Sequence, residues 1–161
     1  MRKLKIYLDT SVISYLDQHD AAERMAETLD FWQEVKYGKY DIYVSDVTIT
    51  EISKCNEQKK ATLEKYLSEI NFTVVPIDEE MEVLAEQIIS QGILTQKSHD
   101  DCMHISAAVI YDCDIIASWN FKHIVNVKTI NGVRAINILN GYRPIDIYTP
   151  AMLTEGRENN E

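Results

Sequence analysis

Four residues have the types and positions to act together chemically. Asp9 ends the apolar run Leu4-Lys5-Ile6-Tyr7-Leu8. Glu51 lies in Val47-Thr48-Ile49-Thr50-Glu51-Ile52-Ser53, and Asp101 in Ser98-His99-Asp100-Asp101-Cys102-Met103-His104. Asn120 follows the run Ile115–Ser118 in Ser118-Trp119-Asn120-Phe121-Lys122-His123. Carboxylates brought to one rim repel one another, and a hard divalent cation is the reason to assemble them. Mg²⁺ or Mn²⁺ held there would in turn bind phosphate. Each acid also has a structural reading: Thr48-x-x-Glu51 and Ser98-x-x-Asp101 both have capping-box spacing, in which the acid satisfies a helix N–H and does no chemistry. Asp9 is harder to explain that way, since it ends an apolar strand, and its structural alternative is to cap a short helix over Ser11–Leu16.

The neighbours divide in the same manner. Asp100 points about 100° away from Asp101 around a helix and belongs to the cap or to solvent. His104 shares a face with Asp101 at i+3, but imidazole is a poor partner for Mg²⁺, so a packed or hydrogen-bonded histidine is expected. His99 and His104 are five apart and make no helical metal pair. Lys122, His123 and Lys128 follow Asn120, where they either meet phosphate or form a solvated loop. Thr10 and Ser11 either hydrogen-bond substrate or a metal's water, or cap the next helix. Trp32 and Trp119 read as core rather than as stacking platforms.

The elements that position these residues alternate in period. Strands are expected at Leu4–Leu8, Asp41–Ser45, Phe72–Pro76 and Ile115–Ser118, with an edge strand at Ile145–Tyr148. Helices are expected over Ser11–Leu16, from Asp20 to Gly38 with Met25, Leu29, Trp32 and Val35 on one face, over Thr48–Asn56, Gln58–Ile70, Asp100–Tyr111 and Val127–Leu139, and from an Asp78 cap to Gly92. Such alternation implies a parallel α/β sheet, whose ligand crevice lies beyond the carboxyl ends of the strands. If the first and fourth strands are neighbours, Asp9 and Asn120 share that rim.

Composition limits the alternatives. The 161 residues are one domain's worth of chain, and Gly and Pro together number only 8, which excludes a disordered or collagen-like chain. Acidic residues outnumber basic ones 26 to 16, for a net charge of −10 and a pI near 4.8, so the whole-molecule field repels nucleic acid and anionic membranes. A polyanionic substrate would need a metal or a local basic patch. Three cysteines without C-x-x-C spacing support neither a disulfide framework nor a zinc site. No apolar stretch approaches the roughly 18 residues of a membrane span, and no signal-peptide core precedes Asp9, so a soluble, cytoplasmic protein is expected. Residues 1–150 read as the domain and 151–161 as a disordered tail.

The ordered set Leu8-Asp9-Thr10-Ser11, Thr50-Glu51-Ile52, Asp101-Cys102-Met103-His104-Ile105-Ser106-Ala107-Ala108 and Ser118-Trp119-Asn120-Phe121-Lys122-His123 resembles PIN-domain proteins of the VapC toxin type. The likeness spans about residues 3–150. It implies a three-layer α/β/α sandwich around a mainly parallel sheet of four or five strands, and a Mg²⁺- or Mn²⁺-dependent endoribonuclease. The family's acidic positions match Asp9, Glu51 and Asp101, which would hold the metal, and a fourth acidic position matches Asn120. That last residue departs from the pattern, leaving one charge fewer for a second metal. The resemblance also implies an RNA substrate, a homodimer and, for a toxin, a cognate antitoxin. Two rivals remain. A haloacid-dehalogenase-type phosphatase would need an acid two residues after Asp9, where Ser11 stands. A catalytically weak or inactive PIN-fold binding module is the reading that Asn120 motivates.

Overall fold

The computed structural model describes residues 2–154. In chain order the elements are β1 (Leu4–Leu8), α1 (Thr10–Ser14) running into a 3₁₀ turn (Tyr15–Asp17), α2 (Ala22–Lys36), β2 (Tyr40–Ser45), α3 (Asp46–Ser53), α4 (Glu57–Ser68), β3 (Thr73–Val75), α5 (Glu79–Ser90), a second 3₁₀ turn (Gln96–Ser98), α6 (His99–Ile110), β4 (Ile115–Ala117), α7 (Val127–Asn140), β5 (Asp146–Tyr148) and α8 (Pro150–Thr154). The five strands pair in parallel in the order β3-β2-β1-β4-β5. The chain therefore builds outward from β1 in one direction through β2 and β3, then returns to lay β4 and β5 on the other side. The reversal lies between β1 and β4, the point at which open parallel sheets form their ligand crevice.

The side-chain alternation of β1 divides the core into two layers. Ile6 and Leu8 face one side, packing with Val12, Leu16, Phe31, Trp32 and Leu63 of α1, the 3₁₀ turn, α2 and α4. Tyr7 faces the other, with Met81, Leu84, Met103, Ile105 and Val133 of α5, α6 and α7. The result is the expected three-layer α/β/α sandwich, its sheet wholly parallel. Trp32 and Trp119 are both core residues.

Boundaries depart from expectation where a cap was misread. Asp20 does not cap α2: Ala21 occupies that position without a side-chain bond, and Asp20 instead accepts from Gln18 Nε2. Helix α3 begins at Asp46, two residues before Thr48, because Ser45 at the end of β2 is its N-cap and Thr48 completes a reciprocal capping box. Asp78 does cap α5, accepting from Met81 N at 2.9 Å. Residues 151–154, expected in the tail, belong instead to α8, whose Ala151 and Leu153 pack against the α2-side core. Pro150 suits the first position of this helix, since its missing N–H would be unpaired there anyway. The remainder of the expected tail, 155–161, lies outside the described residues.

At the opposite rim from the crevice, Asp114 ties the amino ends of the strands together. It accepts from Lys5 N at 2.8 Å and from the guanidinium groups of Arg2 and Arg143. Burial alone would raise this carboxyl, but the Arg2, Lys5 and Arg143 bonds outweigh it and hold the pKa down at about 2. A carboxylate whose pKa falls on folding stabilises the native state above its unfolded pKa of about 3.9, and loses that contribution as pH falls toward 2. Asp114→Asn should therefore cost about 1 kcal/mol at pH 7, solvent screening at the exposed arginine heads having reduced the full effect. Denaturant melts of both proteins from pH 7 to pH 2 should show the difference closing below pH 4. A gap that stays constant would rule out the ion pairs as its source.

Candidate functional site

Asp9 sits where β1 gives way to α1. It is only 3% exposed. It caps α1 through Val12 N (3.3 Å), and Oδ1 also accepts from Ser11 Oγ at 2.6 Å, while Oδ2 accepts from Ser118 Oγ at 2.5 Å. The same two hydroxyls accept from the backbone beyond β4: Trp119 N donates to Ser11 Oγ and Asn120 N to Ser118 Oγ, both at 2.9 Å. The expected adjacency of Asp9 and Asn120 is thus real, and two serines lace it together. The capping reading of Asp9 also holds, since one side chain does both jobs. Burial raises the Asp9 carboxyl above its ordinary range, against the opposing charge of His104 and the hydroxyl donors.

Glu51 occupies the second turn of α3. With Ser45 and Thr48 forming the box, the Thr48–Glu51 cap does not form, and Glu51 is turned toward α6. Its Oε1 lies 2.6 Å from His104 Nε2 and accepts from Thr10 Oγ1 at 3.0 Å. His104 is buried, its Nδ1 lies 2.6 Å from the Tyr7 hydroxyl, and that hydroxyl meets Ser45 Oγ at 2.8 Å. His104 thus has a hydrogen-bond partner at each ring nitrogen, Glu51 at Nε2 and the Tyr7 hydroxyl at Nδ1. Burial would raise the Glu51 carboxyl, but the His104 and Thr10 contacts prevail and hold it below its ordinary value.

Asp101 lies in the first turn of α6, one turn before His104. Ser98 makes no side-chain cap bond, so the second capping box is absent as well. Asp101 Oδ2 lies 2.8 Å from His123 Nδ1, and Oδ1 accepts from Asn120 Nδ2 at 3.3 Å. Asn120 Oδ1 accepts from His123 N at 2.9 Å. This local turn fixes the amide so that its N–H₂, not its oxygen, faces Asp101. Burial raises the Asp101 carboxyl against the attraction of His123 and His104, and Glu51 adds repulsion. His104 acts electrostatically on all three carboxylates.

The structure thus brings Asp9, Glu51, Asp101 and Asn120 to the carboxyl ends of β1, β2 and β4, with Thr10 and Ser11 bonded to carboxylates. Lys122 is exposed, and with His123, Lys128 and Thr95 it lines a 210 Å³ cavity beside Asp101. Asp100 is exposed, as expected. Each carboxylate is held by its own donors. Among the described residues, no three His, Cys, Asp or Glu side chains form a group that could hold a metal ion. The oxygen-only carboxylate set fits a hard divalent cation in kind, and Mg²⁺ commonly takes one or two carboxylates with water completing its sphere. Sequence reasoning missed Tyr7, Ser45 and Ser118. Ser118, directly after an apolar strand as Asp9 is, carried the one available signal.

Among solved structures, the chain is similar to VapBC2 from Rickettsia felis bound to a DNA fragment from its promoter, at 12% identity and a TM-score of 0.58, covering 91% of this chain and 98% of that one. It is also similar to VapC20 from Mycobacterium tuberculosis, a sarcin–ricin loop cleaving toxin, at 14% identity and a TM-score of 0.54, covering 69% and 86%. At these identities the likeness is one of fold. No curated protein matches by sequence. The PIN domain family matches residues 6–123, a span that holds all four candidate residues. On that match, and on a fold shared with VapC proteins, the chain belongs to the PIN domain family.

Proposed function

We propose that this protein is a divalent-metal-dependent endoribonuclease, the toxin of a toxin–antitoxin pair, hydrolysing RNA phosphodiester bonds in the cytoplasm. The observation that carries the reading is the convergence of Asp9, Glu51 and Asp101, far apart in sequence, at the crevice where the strand order reverses. The likeness to VapBC2 and VapC20 supports an antitoxin partner and an RNA substrate for this chain, and the family supports a homodimer. No helix of the described residues is long and apolar enough to cross a membrane.

Asp9, Glu51 and Asp101 would supply the carboxylates for Mg²⁺ or Mn²⁺, one or two directly and the rest through the cation's waters. When bound, such a cation supplies Lewis-acid stabilisation of charge on the phosphoryl oxygens and an acidified water. The chain's own part is orientation. Ser11 and Ser118 hold both Asp9 oxygens in place, and His104, itself fixed by Tyr7, holds Glu51 and keeps it ionised. Asn120 and His123 hold Asp101 in position. The cavity lined by Lys122, His123 and Lys128 is the place for a phosphate of the bound strand, where local positive charge meets it despite the acidic whole. No protein nucleophile is required.

A second reading, a catalytically weak or inactive PIN-fold binding module, draws on two observations. Asn120 is neutral with its oxygen already bonded to His123 N, and each carboxylate already accepts a donor from within the protein.

Cleavage of a fluorescent single-stranded RNA across Mg²⁺ and Mn²⁺ titrations separates the readings. Asp9→Asn should abolish cleavage while leaving metal-free thermal stability equal or raised, because a desolvated charge is removed. Mg²⁺ should then raise the melting temperature of the wild type more than that of the variant. An equal increment in both would exclude Asp9 as a ligand. Glu51→Gln keeps a hydrogen-bonding partner for His104 Nε2, so the fold should persist while Mn²⁺ affinity falls; full retention of that affinity would exclude Glu51. Asn120→Asp should keep the His123 N–H bond but set a second carboxylate against Asp101, about 1 kcal/mol less stable without metal. With Mn²⁺ it should gain more stability than the wild type and cleave faster. If the loss appears without the extra gain, Asn120 serves the turn alone.

A further inference from the structure

Next to the carboxylates lies a cluster that the proposed chemistry does not use. The Arg24 guanidinium, on the exposed face of α2, stands 5.0 Å from the Phe121 ring centroid, 5.6 Å from that of Trp119 and 5.9 Å from that of Tyr15. Its Nη1 also donates to the Tyr15 hydroxyl at 3.4 Å. The rings form a tilted row, Tyr15 to Trp119 at 6.1 Å and Trp119 to Phe121 at 6.3 Å. Trp119 is the fixed member, buried, with Nε1 donating to Thr28 Oγ1 at 2.9 Å. Phe121 is the open one, 44% exposed.

The row is joined to the candidate site by short covalent and hydrogen-bonded links. Trp119 N donates to the same Ser11 hydroxyl that holds Asp9, and Phe121 follows Asn120, whose amide holds Asp101. Flat aromatic surface backed by a guanidinium takes the face of a nucleobase, and the cation draws the strand's phosphates. In a chain of net charge −10, an arginine over three rings beside the candidate site is local charge complementarity to a polyanion. We infer that Phe121 and Arg24 form a platform on which one unpaired base of single-stranded RNA stacks beside the carboxylates. This rests on the ribonuclease reading and deepens it. A base within a duplex is already stacked on its neighbours, so the platform selects single-stranded over double-stranded RNA.

The test uses the full chain in metal-free buffer and a short single-stranded RNA carrying 2-aminopurine, whose fluorescence is quenched on stacking. The wild type should bind and quench it, and should bind the matching duplex more weakly. Phe121→Ala should lose about tenfold or more in affinity together with the quench, while Phe121→Trp retains both. Arg24→Gln should bind more weakly, with the salt dependence of binding reduced by about one phosphate contact. Thermal melts show that each variant is folded. Wild-type affinity and quenching in folded Phe121→Ala, alongside cleavage that Asp9→Asn abolishes, overturns the platform and leaves the ribonuclease reading standing. Phe121-dependent binding without any metal-dependent cleavage has the reverse meaning. If Phe121→Ala leaves RNA binding unchanged but turns a dimer into monomers in sedimentation, the ring packs against a second copy of the chain and the platform is likewise overturned.

Discussion

Burial of the Asp9 carboxylate where two neighbouring parallel strands end is the constraint on which the site depends. A desolvated carboxylate costs several kcal/mol unless donors surround it. Here those donors are the hydroxyls of Ser11 and Ser118, one from each side of the sheet's reversal point. Because each hydroxyl also accepts a backbone N–H from beyond β4, meeting the needs of one acid fixes the path of Ser118, Trp119 and Asn120. The segment that bears Asn120, Phe121 and His123 is thereby placed by Asp9. Reading Asp9 as a cap and reading it as a candidate ligand are compatible for this reason: Val12 N and Ser11 occupy Oδ1, while Oδ2 has Ser118 alone as a partner among the described residues.

His104 organises the other half. Tyr7 points away from Ile6 and Leu8, and so lies in the layer of α6, where its hydroxyl meets both His104 and Ser45. The histidine passes that fixed position on to Glu51. The outcome is a graded set of acids: Glu51 held ionised by a direct partner, Asp9 and Asp101 raised by burial. A cation shared by such unequal acids, as proposed, would meet carboxylates that their donors already hold in place against mutual repulsion.

Most of the frame was legible in the sequence because apolar runs such as Leu4–Leu8 and Ile115–Ala117 end abruptly at polar residues, and because Asp78 with its acidic turn is a strong helix start. Boundaries failed where a residue served two elements. Ser45 ends β2 in the pattern yet caps α3, with Thr48 in the place usually held by Glu or Gln, and this misplacement by one turn is what made Glu51 resemble a cap. The pairing of Asp9 with the Asn120 segment followed from the crevice rule only on condition that β1 and β4 are adjacent, an adjacency that local periodicity cannot supply. Tyr7 and His104, 97 positions apart, were beyond it altogether, since nothing local marks a strand tyrosine as a partner for a helix histidine.

The acidic character of the chain narrows how a polyanion could approach it. With −10 overall, a strand laid on an arbitrary face is repelled, and attraction is confined to places where cations are concentrated. Two such places flank the carboxylates: Arg24 over its three rings, and the cavity of Lys122, His123 and Lys128. Both border the segment after β4, which Asp9 itself orders. The placement of a substrate strand and the geometry of the acids that would act on it then share one structural cause, so a change that loosens Ser118 or Ser11 would disturb both together.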